Sequence, residues 1–457
     1  MSSKIKKNTK QKLDFINDSL WGLMLKLSVP SILGMMVISI NGLVDIFYTS
    51  YFIGIKAFTG ISMLFPLMLV VTSITVFIAA GSASVLSRAI GAKQVEVQKK
   101  IIPNMIALSL IGAALVTVFG IIFSHEIVSV IGITGELFTY ALEYFKVYVL
   151  GALFSIYGLS ANSLIRAEGN IKVAMQFTIA SVILNILLTP IFIGVLHMGV
   201  AGAAWSSIIA MFIYSLLTSL YFIRGKATFK TGAFRIRLEY KILKNVLSIG
   251  FSAFTMQLSN LFRQFLLFRL VVFYGTVEAM AFFNAVFRLF TFLAIPLLGL
   301  YQSMQPIIGI NYGANKPSRC LKGVRIYRLA GVVLGAGLLI PILIFPEAMV
   351  NVILPNVELN DTEIFNVRML LSILLVIPIS SSSIVLFQAI GEAKLATLLP
   401  IGRQLLLFVP IVLLLTKNFG IEGIYYSLAL ENILYALVLY IVSRKTLKQI
   451  SNGIIQE

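Results

Sequence analysis

The chain has 457 residues, 59% of them hydrophobic and 12% charged, against about 45–50% and about 25% in soluble domains, which leaves too little polar surface to cover a water-soluble fold. The apolar residues gather into runs of roughly 20, the length that crosses a hydrocarbon core of about 30 Å, so lipid is the expected solvent. A net charge of +18 would point a soluble protein to nucleic acid, and the single cysteine, Cys320, excludes an internal disulfide.

In chain order, residues 1–21 form a basic tail carrying Lys4, Lys6, Lys7, Lys10 and Lys12. No apolar stretch with a small-residue cleavage site follows, so a cytoplasmic tail is expected rather than a cleaved signal peptide. Six apolar runs come next, at 22–48, 57–86, 101–124, 138–163, 173–195 and 200–223. A basic linker, 224–245, leads to six more at 246–273, 278–306, 322–348, 364–389, 395–416 and 420–443, and the tail 444–457 closes the chain. All twelve should be α-helices, because a lone span in lipid must satisfy its own backbone polar groups. Pro30, Pro66, Pro190, Pro296, Pro306, Pro378 and Pro410 lie inside or beside them and predict kinks or breaks. The fold class is therefore all-α integral membrane, with twelve transmembrane helices in an N-lobe (22–223) and a C-lobe (246–443).

Threaded with the N-terminus inside, 27 of the 36 Lys and Arg residues fall on one side, in the tails, the linker and alternate loops. The other side carries only Lys56, Arg368 and Lys417. This asymmetry places both termini in the cytoplasm of a cell (inner, plasma) membrane protein and removes the case for nucleic acid.

The lobes repeat at an offset of 221–222 residues. LIRAEGNIKVA (164–174) aligns with LFQAIGEAKLA (386–396), pairing Gly169 with Gly391 and Lys172 with Lys394. Gly91-Ala92 aligns with Gly313-Ala314, and Gly199, Gly202 and Ser206 align with Gly420, Gly423 and Ser427. With six spans each, both halves insert the same way, as parallel repeats related by an axis along the membrane normal. The cleft between them is the expected substrate path, alternately opened by rocking.

Several segments carry a further signal. They are INGLVDIFYTSYFIG (40–54), SRAIGAK (87–93), RAEGN (166–170), LNILLTPIF (184–192) and MGVAGAAWSS (198–207) in the N-lobe. FRLFTFLAIPLLGLYQSMQPIIGINYGA (287–314) and FQAIGEAK (387–394) continue the series in the C-lobe. In this order they resemble the multidrug and toxic compound extrusion (MATE) exporters. The resemblance implies export of organic small molecules by H+ or Na+ antiport, with no cofactor beyond the coupling ion, by a chain expected to act as a monomer.

Asp45 is the one acidic residue placed deep in the N-lobe. An ionised carboxylate at the bilayer centre is costly, from about 2.5 kcal/mol upward, and protonation or a bound cation would relieve it. The plainer alternative is a hydrogen-bond acceptor at a helix kink. The resemblance implies a cation or proton site at Asp45, with Asn185 matching that site and Ser207 falling where a hydroxyl is expected. One departure stands out: Thr189 occupies the place where the family often has a second acid. Asp45, Asn185, Thr189 and Ser207 thus offer one charge and three neutral oxygens. That suits protonation of Asp45, or a weak Na+ site as the sole metal expected.

The C-lobe carries cations instead. Arg403 and Arg288 lie roughly 12–16 Å from their nearer span ends at 1.5 Å per residue, Arg263 lies somewhat outside the centre of its span, and Arg269 can snorkel to the surface. Glu431 sits at the depth of Arg403 and is its natural partner. The alternatives are a structural Arg403–Glu431 pair and a positive cavity wall favouring anionic or zwitterionic substrates. Gln257, Asn260 and Gln264 recur at a 3–4 residue spacing that makes one polar stripe. Met63, Phe65, Met68, Tyr157, Phe283 and Phe287 are candidates for an apolar lining. His125 and His197 have no metal-ligand partners at useful spacing.

Rival functions are a lipid-linked saccharide flippase of the wider superfamily, whose pyrophosphate headgroup arginines would suit, and a membrane receptor or channel. An enzyme fits worst: P-loop, G-x-S-x-G and H-E-x-x-H motifs are all absent.

Overall fold

The structure, a computed structural model, describes residues 13–232, 236–354 and 357–452. The five lysines of the first twelve residues, Arg235 and the last five residues lie outside it. All regular elements among the described residues are helical. The twelve long ones are α1 (Leu20–Phe52), α2 (Phe65–Gly91), α3 (Val95–Ile122), α4 (Gly135–Leu150 and Ala152–Ala167), α5 (Ile171–Val195) and α6 (Gly199–Ile223), then α7 (Tyr240–Tyr274), α8 (Val277–Gly313), α9 (Pro317–Ile344), α10 (Asp361–Ile390), α11 (Ala393–Phe419) and α12 (Glu422–Ser451).

Ten of the twelve are single helices long and apolar enough to cross a membrane. The eleventh, α4, qualifies only as a pair bent by 53°. Its break falls at Gly151 and not at a proline, where a Cβ would stand 2.5 Å from the side chain of Ile208 on α6. The twelfth, α7, is 35 residues long, about 52 Å at 1.5 Å per residue. Lys241, Lys244, Arg263 and Arg269, together with its polar stripe, dilute its apolar character below that of a lipid-bathed helix. The expected second run, 57–86, is also divided. A short helix, Ile55–Met63, precedes α2, which restarts with Pro66 at its first positions, where proline's missing N–H has no partner to lose. Both α5 and α11 contain a wide π turn, at Ile191–Val195 and Arg403–Phe408.

The sequence repeat returns in the packing. The pairs α1–α5, α2–α4, α2–α3 and α5–α6 recur as α7–α11, α8–α10, α8–α9 and α11–α12. Across the lobes α1 packs on α8 while α7 packs on α2, which is the same pair with the halves exchanged. Aligned residues share unusual backbone: Gly169 and Gly391 have φ of 91° and 89°, and Lys93 and Asn315, also 222 residues apart, both have φ of 55°. Left-handed values of this kind are cheap for glycine and uncommon elsewhere.

The lobes are fastened at the end of the bundle that carries the termini. A Cβ on Gly91 of α2 would collide with the carbonyl of Ile310 on α8, and a Cβ on Gly313 of α8 with the carbonyl of Arg88 on α2. These two glycines are repeat mates, so the contact is its own image. Ser28 and Ser303 hydrogen-bond at 2.8 Å between α1 and α8. At the aligned place between α7 and α2, Gly250 and Gly81 bring backbone to backbone. The two aligned loop glycines form sockets. Gly169 is covered by the ring of Phe15, whose carbonyl accepts from Asn311 Nδ2 at 3.1 Å and Arg319 Nη2 at 2.9 Å. Arg319 also donates to the Asp18 carbonyl at 2.7 Å. The segment before α1 thereby ties the α8–α9 turn to the α4–α5 turn. Gly391 is covered instead by the guanidinium of Arg88, reaching over from α2. The linker lies on the first lobe, through Lys100–Glu239 at 2.9 Å, Thr228 Oγ1 donating to Glu168 at 2.8 Å, and buried Phe229.

Candidate functional site

Asp45 is partly buried on α1, seven residues or about 10 Å from the end of that helix. One turn earlier, Asn41 Nδ2 donates to Asp45 Oδ2 at 3.1 Å. Asp45 makes no ion pair among the described residues.

The structure joins the remaining N-lobe candidates through a residue outside the expected set. Ser206 on α6 shares a hydrogen bond of 2.9 Å with Thr189 Oγ1 on α5. Asn185 Nδ2 donates to Ser207 Oγ at 3.2 Å and to Ser206 Oγ at 3.5 Å. Thr189 also donates back to the Asn185 carbonyl at 2.8 Å. No hydrogen bond links this cluster to Asp45, which is held by Asn41 instead. Asn41 Oδ1 and Asn185 Oδ1 are both buried with no donor. An orphaned buried acceptor is costly, and two of them on helices packed side by side, with an unpaired carboxylate, make an oxygen-rich, cation-poor region. Such a donor set can take a proton on Asp45 or a hard monovalent cation. Asn41 stands four residues before Asp45 in the INGLVD segment, and Ser206 adjoins Ser207. Spacing alone could have nominated both, but not the bonding between α5 and α6.

In the C-lobe Glu431 on α12 is fully buried. Arg403, in the π turn of α11, grips it with Nε and with Nη2 at 3.2 Å, and donates to Asn432 Oδ1 at 2.9 Å. The guanidinium lies over the Tyr435 ring, 4.6 Å from its centroid. Arg263 of α7 approaches the same carboxylate only to 3.7 Å, and its buried Nη1 has no hydrogen-bond partner. Two guanidinium groups thus share one carboxylate, which leaves one positive charge over. Gln257 and Gln264 are partly buried and Asn260 is exposed, all without hydrogen bonds among the described residues. With Arg263 they form a polar stripe along α7. Arg288 does not join the cluster: it is exposed on α8, with no ion pair among the described residues. Of the expected apolar lining, Phe283 is 1% exposed and stacks on Phe287 inside the lobe, so it is core. Tyr157 is tied to Ser219 at 2.7 Å, and His125 rests on the Phe138 ring.

A profile of the MatE family matches residues 30–191, a stretch that holds Asp45, Asn185 and Thr189. The multidrug export protein MepA of Staphylococcus haemolyticus (strain JCSC1435) is 24% identical over 429 residues, covering 94% of each chain. A MATE protein crystallised in a bent conformation superposes with a TM-score of 0.90 at 23% identity, covering 96% of this chain and 98% of that one. The outward-facing conformation of a multidrug resistance MATE transporter of the MOP superfamily gives 0.89 at 23% identity, covering 98% and 100%. At such identity these structures speak to the fold, and the relatives matched end to end are export proteins and not enzymes. Taken with the repeated six-helix lobes, the chain is a multi-pass membrane protein similar over nearly its whole length to multidrug export proteins and, in fold, to MATE transporters.

Proposed function

We propose that this protein is an efflux transporter that expels organic small molecules by alternating access, driven by inward movement of H+ through Asp45. The observation that carries the coupling role is a carboxylate without an ion pair inside α1, with orphaned amide oxygens at Asn41 on the same helix and at Asn185 on the adjacent α5. The names of the curated relatives support the export role. Thr189, in place of a second acid, favours H+ over Na+, because a lone carboxylate is a poor charge match for a bound metal ion but a sufficient proton carrier. In this reading Asn185, Thr189 and Ser207 hold the alternative Na+ site. The basic end of the bundle faces the cytoplasm. The seam closed by Gly91 and Gly313 then corresponds to an outward-open state. Purified protein in liposomes, under separately imposed pH and Na+ gradients, tests the proposal. Uptake by wild type should follow the pH gradient and fall at least tenfold in Asp45→Asn. Equal transport by the variant refutes the coupling role.

The surplus guanidinium at Arg263 favours anionic or zwitterionic substrates, since it offers a charge-assisted donor inside a low-dielectric bundle. Gln257, Asn260, Gln264 and Arg288 supply polar contacts along the same path, while Arg403 and Glu431 hold the wall together. Competition between anionic and cationic fluorescent substrates decides: recognition of lipophilic cations alone refutes it.

A further inference from the structure

A crevice of about 20 Å³ lies where α1, the α4–α5 turn and α8 meet, lined by Pro30, Ser31, Gly34, Arg166, Thr178 and Gln302 and closed by apolar atoms of α1 and α5. Its polar side chains are one guanidinium, two hydroxyls and one amide. Ser31 is 5% exposed, and its hydroxyl has no partner. Other hydroxyls in these helices fall back on the carbonyl four residues earlier, as Ser39 does to Met35 and Thr178 does to Ala174 at 3.1 Å; Ser31 does not. Gln302 Nε2 finds only the sulfur of Met35, at 3.3 Å, a weak acceptor. Arg166 makes no ion pair and no hydrogen bond among the described residues, and no carboxylate lines the crevice. The nearest acid in sequence, Glu168, is engaged by Tyr221 and Thr228.

An unpaired guanidinium in a membrane domain is costly, and a free hydroxyl beside it adds to the cost. What the crevice lacks is an acceptor bearing negative charge. A void must exceed roughly 10–15 Å³ to hold one water-sized particle, so this one has room for a single monatomic ion. A water molecule would satisfy Ser31 but would leave the charge of Arg166 unmatched. We propose that the crevice is a chloride site, in which the Arg166 guanidinium and the Ser31 hydroxyl donate to one bound anion. The crevice lies beside Pro30 of α1, with Gln302 of the second lobe in its wall.

The test uses the full chain in detergent, without substrate. Its melting temperature is followed as chloride replaces gluconate at fixed ionic strength, and crystals are grown in bromide. Wild type should be stabilised saturably by chloride. The response should be absent in Arg166→Gln and should need roughly tenfold more chloride in Ser31→Ala, as expected for one lost hydrogen bond to a charged group. An anomalous bromide peak should appear between the two side chains. Equal melting in chloride and gluconate, a response unchanged in Ser31→Ala, or a crevice holding only water in bromide-grown crystals would each overturn the proposal. Should Arg166→Gln fail to fold, Ser31→Ala and the bromide peak decide the matter.

Discussion

Glu431 carries more than its own charge. Its carboxylate is the only acid within reach of Arg403 and Arg263 among the described residues, so removing it strands two guanidinium groups in the C-lobe. Glu431→Gln should therefore destabilise the protein by about 3–5 kcal/mol, the cost of breaking a buried ion pair from one side. Thermal unfolding of the purified variant would measure it. Arg263→Gln should do the opposite of what a structural partner would: stability should hold or rise slightly, while affinity for anionic substrates falls. At this scale the sequence told depth far better than direction. Arg403 and Glu431 could be placed near mid-membrane by counting residues along helices. Arg288 could be placed just as well, yet it is exposed and makes no ion pair among the described residues, while Arg403 is gripped by Glu431. In water the rotation of a helix is written in its apolar stripe. In lipid both faces are apolar, and that signal fades. The same loss hid Ser206 as the link between Thr189 and Asn185.

Among elements, the break in α4 was the least legible feature, whereas Pro66 marked the break before α2. Prolines marked the expected kinks, but α4 bends at Gly151, where a missing side chain lets Ile208 close in. That cause lies on another helix and leaves no local trace. Gly151→Leu should push α6 off α4 and lower the melting temperature by several degrees, by the overpacking cost of about 1–3 kcal/mol. Gly42→Leu, at a position with open space around it, is the matched control and should change little. By contrast, the existence and order of all twelve spans could be read directly, because length and hydropathy depend on the bilayer and not on neighbours. The helix α7 strains the rule, and some of the residues that dilute it, Arg263 and the stripe of Gln257, Asn260 and Gln264, are those placed at the candidate substrate path.

For the molecule as a whole, the offset of 221–222 residues foretold the symmetry of the packing, down to matched left-handed residues. It did not foretell how the halves are locked. Where Phe15 covers Gly169 in the first half, Arg88 covers the aligned Gly391 in the second. Phe15, Asn311 and Arg319 form a latch that must release before the terminal end of the bundle can part. Arg319→Ala removes two charge-assisted bonds to carbonyls, and at about 1.5–3 kcal/mol each at most this should shift the balance toward the other access state by tenfold or more. Spin labels at Lys226 and Lys394, both exposed and on different lobes, should report a longer distance population. An unchanged distribution would mean that the latch bears no load.

The meeting of Gly91 with Gly313 has one more implication. Each glycine abuts the backbone that carries the other, so the two positions own a single contact between them. A bulky residue at either site opens the same gap, and a second substitution at its mate finds the damage already done. The double variant should cost far less than the sum of the singles. Two halves that arose as copies and have since drifted to unlike chemistry are therefore still answerable to each other at this point, where neither could change without altering the fit of both.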